Sequence, residues 1–131
     1  MNKTDQGPDL RIKSVYKIFR AGDWDDARAA GAFSGSADDR RDGFVHLSAA
    51  HQLAGTLARY FAGEPGLVLA AFPAARLGPE LRWEPSRGGA LFPHLYGVLP
   101  MVAVSGHWPL ELGGDGLHLM PALMDTGPAG E

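Results

Sequence analysis

"LRWEPSRGGALFPHLYGVLPMVAVSGHW", residues 81–108, decides the fold class. LRWE reads as a short strand that Pro85 closes. LYGVLPMVAVSGHW reads as one or two further strands, bent at Gly97 and Pro100. SRGGALFPH between them reads as a loop. No helix is expected anywhere in this stretch, so the chain ends in strands.

Working back, LVLAAF (67–72) is a continuous apolar run and reads as a buried central strand. PAARLGPE connects it to LRWE with a short helical turn. VYKIF (15–19) is a first strand of β-branched and aromatic type. Asp23 is then expected to cap a helix, DWDDARAA, ending at Gly31. GAFSGSADDRRD has no apolar periodicity and reads as a loop, a candidate flexible lid. GFVHL (43–47) is a strand, after which Ser48 is expected to cap a second helix, AAHQLAGTLARYFA, with Leu53, Leu57 and Phe61 as its apolar stripe. The order is β-α-β-α-β-β-β. Helices come early and strands late, which indicates α+β rather than repeated βαβ units. The domain is placed at 14–110, with a polar tail at 1–13 and a Gly/Pro-rich tail at 111–131. Within the second tail, LHLMPALM is apolar enough to dock.

A chain of 131 residues fits one domain, and 45% hydrophobic with 21% charged content is ordinary for a globular protein. There is no cysteine, which removes disulfides, thiolate metal sites and cysteine nucleophiles and fits a cytoplasmic protein. A formal net charge of -3 argues against a nucleic-acid module. No apolar run approaches a membrane span and the start has no signal-peptide core, so no membrane association is expected. The oligomeric state is not legible.

The window also concentrates chemistry. In GFVHLS, strand alternation puts Phe44, His46 and Ser48 on one face and Val45 and Leu47 on the other. His46 precedes an expected helix N-terminus, whose free N–H groups suit an anion and favour the neutral ring. The plainer alternative is a half-buried histidine bonded to a carbonyl. Arg82 and Glu84 alternate with Trp83, which reads as a site edge or as an exposed strand face with a cross-strand ion pair. Ser86–Gly89 could turn N–H groups toward an anion with Arg87 beside them, or could be a plain turn. His94 and Tyr96 lie two apart, as acid, base or stacking groups or as a loop histidine and a core-edge tyrosine. No Walker loop, GxGxxG or GxSxG pattern occurs. A metal set from His46, His51, Glu84 and His94 lacks HxH or HExxH spacing, and no metal is expected.

Together VYKIF, GFVHLS, LAGTLARYF and LRWEPSRGGALFPHLYGVLP resemble a bacterial family known as domain of unknown function 952, over about residues 14–110. That resemblance implies a fold similar to the ADP-ribosyltransferases, a small split antiparallel or mixed sheet with two helices. It also implies a pocket for NAD, as substrate, or for ADP-ribose or another nucleotide. By position it makes Glu84 and His46 the candidate catalytic residues. Ser48, Trp83, Arg87, His94 and Tyr96 are the candidate ligand-binding residues. The first strand offers Tyr16 and Lys17 where that superfamily has His or Arg. Two readings stand: an enzyme of the glycosyltransferase type, or a non-catalytic module binding a small anionic metabolite or a protein partner, with Glu84 in a structural ion pair.

Overall fold

The computed structural model describes residues 12–123, except the side chain of Arg87. Residues 1–11 and 124–131, and so most of the first expected tail and the end of the second, lie outside the described residues. The protein is α+β, built from antiparallel sheets and few helices.

The first sheet has the order β1 (Ser14–Arg20), β4 (Leu67–Pro73), β8 (Gly106–Leu110). The run LVLAAF is its central strand, as its unbroken apolar character required. Both faces are covered. Val15, Phe19, Ala70 and Phe72 point into one core, and Tyr16, Ile18, Leu69 and Ala71 into a second. That two-sided burial is why VYKIF and LVLAAF read as apolar without alternation. Lys17 is the exception, a buried charge on the Val15 and Phe19 face.

The second sheet has the order β3 (Val45–His46), β6 (Leu91–Leu95), β5 (Leu81–Pro85). Its central strand corrects the expected loop over residues 86–94: Leu91–Leu95 pairs on both sides despite Pro93. The carbonyl of Pro93 accepts from Leu47 N at 3.1 Å, so its missing N–H faces the same neighbour. The ladder with β3 ends there, where the chain leaves β6 for β1. A two-stranded ladder joins β2 (Ala32–Phe33) to β7 (Leu99–Pro100). Every ladder is antiparallel, so the mixed alternative does not occur among the described residues.

Among the described residues there are three α-helices where two were expected. α1 (Ala21–Ala30) begins two residues before Asp23, because β1 runs straight into it through the extended Arg20. Asp23 therefore sits in the first turn and is not the cap. Gly31 ends the helix at φ 84°, as expected of C′. α2 (Ala37–Asp42) lies inside the segment read as a loop. α3 (Leu53–Tyr60) follows a 3-10 turn at Ala50–Gln52. Ser48 does not cap it. Ala49 N donates instead to Gln52 Oε1 at 2.9 Å, and Ser48 Oγ bonds Thr56 Oγ1 at 3.2 Å. Leu53 and Leu57 are buried, with Phe61 packed beside them, as the stripe required. Beyond β8, Leu112 and His118 bridge to form a hairpin, His118 Nε2 bonds the carbonyl of Glu64 at 2.8 Å, and Leu123 packs on the second core. Among the described residues no helix is long and apolar enough to cross a membrane.

Candidate functional site

The two three-stranded sheets meet at one point. Tyr16 N donates to Ser48 O at 2.8 Å and Ser48 N to Tyr16 O at 3.0 Å. Continued in the same antiparallel register, Ile18 would face His46 and Arg20 would face Phe44. No ladder forms there. The sheets part instead, and the gap is a cleft of about 310 Å³ lined by β1, α2, α3, Phe44 and residues 46–48, with Phe92 and His94 of β6. That volume lies at the lower end of ligand pockets.

A split sheet leaves backbone groups unpaired, and buried ones must find partners. On the β3 side they are side chains. His46 N donates to Asp39 Oδ1 at 3.0 Å, and the His46 carbonyl accepts from Lys17 Nζ at 3.0 Å. Lys17 Nζ also meets Asp39 Oδ2 at 3.0 Å. The Lys17–Asp39 pair thus takes the place of the missing rungs and ties α2 to both sheets. Asp39 is placed by a capping box: Ser36 Oγ accepts from Asp39 N at 3.2 Å, and Ser36 N donates back to Asp39 Oδ2 at 2.9 Å.

The two charges respond differently to burial. Burial pushes the Asp39 carboxyl up, but the His46 ring, the Lys17 ammonium and the backbone N–H groups of Ser36 and His46 outweigh it. They hold it well below the usual carboxylate range. Burial is the largest influence on Lys17 and lowers it, with Asp39 opposing. Asp39 collects four donors, whereas the buried ammonium has one carboxylate. Gly35 supports the arrangement at φ 125°, where an added Cβ would stand 3.0 Å from Asp39 Cβ. Gly35→Ala is expected to cost roughly 1–3 kcal/mol, from backbone strain and displacement of Asp39. A melting temperature equal to that of the unaltered protein would show that this approach is slack.

Alternation in GFVHLS holds: Phe44, His46 and Ser48 line the cleft, while Val45 and Leu47 enter the core. His46 meets two carboxylates rather than a helix N-terminus. Its Nδ1 is 2.5 Å from Asp39 Oδ1, and its Nε2 is 2.9 Å from Asp42 Oδ2. His94 lies beside it, with ring centroids 5.8 Å apart, and is stacked on Phe44 at 4.0 Å and 22°. Glu84 does not line the cleft. Its Oε1 is 2.8 Å from His94 Nδ1 and accepts from Tyr96 OH at 2.7 Å. Among the described residues its partners are thus His94 and Tyr96, and it forms no ion pair with Arg82. Burial raises Glu84, but the bonds from His94 and Tyr96 leave it below the ordinary value. Burial lowers His94 against the pull of Glu84, and the Glu84 carboxylate raises Tyr96. Arg82 stacks over the Tyr96 ring at 4.7 Å.

The structure thus brings His46, Ser48 and His94 to the cleft, and Glu84 and Tyr96 to the back of His94. Trp83 points the other way, into the core. The Arg87 side chain lies outside the described residues. Among the described residues no three His, Asp or Glu side chains are grouped to hold a metal ion. Asp39 was not singled out in the sequence, and Lys17 only as a residue standing where the resembled superfamily has His or Arg. Their signals were a lone lysine inside VYKIF, and Ser36 three residues before Asp39.

This is an α+β protein with a cleft at a split between antiparallel sheets. The family model described as "Protein of unknown function (DUF952)" matches residues 18–107, and the chain belongs to that family. The crystal structure of protein CC0527 from Caulobacter crescentus is 48% identical, covers 81% of this chain and 93% of its own, and has a TM-score of 0.78. Its solution NMR structure is 49% identical, covers 79% and 90%, and has a TM-score of 0.72. No curated protein matches the chain.

Proposed function

We propose that the cleft binds NAD, ADP-ribose or a related nucleotide, in the manner of an ADP-ribosyltransferase-like pocket. The observation that carries this reading is the free edge of β1. Tyr16 N–H and C=O both point to Ser48, so by alternation those of Ile18 also point away from β4, toward the cleft that Ile18 lines. A donor and an acceptor fixed side by side on an edge strand match a primary carboxamide, which offers one of each. Phe44, Phe33 and Phe92 supply aromatic surface in the same cleft. The arrangement fits the nicotinamide end of NAD better than a phosphate alone, since the rim cations Arg20 and Arg41 are paired with Glu64 and with Asp38 and Asp42.

The test is an amide NMR titration with NAD, nicotinamide, ADP-ribose and inorganic phosphate. NAD and nicotinamide are expected to move the Ile18 amide, and Phe44→Ala to weaken both at least several-fold. If none of these ligands moves Ile18, the nucleotide reading fails. The engagement of Glu84 behind His94 favours a second reading, binding without turnover. Binding of NAD with no release of nicotinamide would select it.

A further inference from the structure

We propose that His94 is a proton-transfer residue of the cleft and that Glu84 acts only through it, as a positioning residue. The inference stands on geometry and does not depend on which ligand the cleft takes.

A carboxylate only accepts hydrogen bonds, so the contact between His94 Nδ1 and Glu84 Oε1 at 2.8 Å requires the proton on Nδ1. The lone pair of the neutral ring is then on Nε2. His94 lines the cleft and Glu84 does not, which leaves Nε2 as the nitrogen offered to a ligand. The ring cannot swing, because Phe44 stacks on its face and Tyr96 OH holds the same Glu84 oxygen at 2.7 Å. The neighbouring basic groups are already engaged. Lys17 Nζ is held by Asp39 and by the His46 carbonyl, and both nitrogens of His46 face carboxylates.

The step balances without a further reagent. Nε2 accepts the proton of a ligand hydroxyl or a bound water. The O–H bond breaks, its electron pair stays on oxygen, and the imidazolium formed lies against the Glu84 carboxylate. The other charged or titratable groups near the ring are His46, paired beside it on β3, Asp42 of α2, which His46 contacts, and Arg82 and Tyr96 on the other side of its sheet.

Diethyl pyrocarbonate tests this on the full chain, because it acylates the unprotonated nitrogen of a neutral imidazole. Adducts would be located by peptide mass spectrometry, with the exposed His51 and His107 as references. His94 is expected to react at Nε2, and Glu84→Gln to slow it several-fold while the two references keep their rates. An unreactive His94 beside reactive references, or an equal rate in both proteins, overturns the proposal. The nitrogen-15 shifts of the unaltered protein give a readout that needs no variant. An Nδ1-protonated ring supports the assignment, and an Nε2-protonated ring refutes it. No cleft ligand enters either measurement, so the nucleotide reading and this one can fail separately.

Discussion

Asp39→Ala is expected to lower stability by roughly 3–5 kcal/mol, read from urea unfolding midpoints. The loss does not measure the strength of the ion pair. It comes from leaving the Lys17 ammonium buried without its carboxylate, and the His46 N–H without an acceptor at the split. Adding Lys17→Met should restore part of the stability, because no uncompensated charge then remains. A single variant within about 1 kcal/mol of the parent would mean that α2 is held by other contacts. The same carboxylate sets an acid limit. Its folded value is depressed, so its contribution is fully present above the unfolded carboxyl value of about 4 and is lost as pH falls through the folded one. The gap between parent and variant should therefore be widest near neutrality and should narrow below about pH 4.

Phe19→Ala should be comparably damaging, at roughly 3–5 kcal/mol. Phe19 is 1% exposed and meets Trp24 of α1 and Phe33 of β2 edge-on, at 5.2 and 4.9 Å between centroids. Its removal opens a cavity where the first sheet, α1 and the small β2–β7 ladder converge. Val102→Ala is the control. Val102 is 81% exposed, and its loss should stay within about 0.5 kcal/mol. Equal midpoints for the two variants would show that the Phe19 cluster is not the anchor of this core.

Much of the architecture was legible because the signals were local. VYKIF and LVLAAF announced strands through β-branched and apolar runs. Gly31 announced a helix end, and the spacing of Leu53, Leu57 and Phe61 announced a buried helical face. Alternation in GFVHLS placed Phe44, His46 and Ser48 on one surface. The loop at 31–42 was misread because β2 within it is only two residues long and α2 is short and carries only charged and small residues. Its one sign was the Ser36–Asp39 capping pattern, which apolar periodicity does not detect. Residues 91–94 were misread because a proline argues against a central strand. Pro93 is tolerated there because its missing donor falls where the ladder to β3 was ending.

By itself the sequence determined the fold class, the central strand, the buried helical face and the shared face of Phe44, His46 and Ser48, since each follows from spacing along the chain. Only the tertiary structure decided what each polar group does. Lys17 and Asp39 are 22 residues apart and meet where two sheets separate. Glu84 reaches His94 and Tyr96 only because β5 and β6 pair in register, and that pairing puts it behind the cleft wall and Trp83 on the core side. Partnership across strands depends on register and on where a sheet splits. Both are set by the balance of backbone hydrogen bonds over the whole fold, which no local pattern carries.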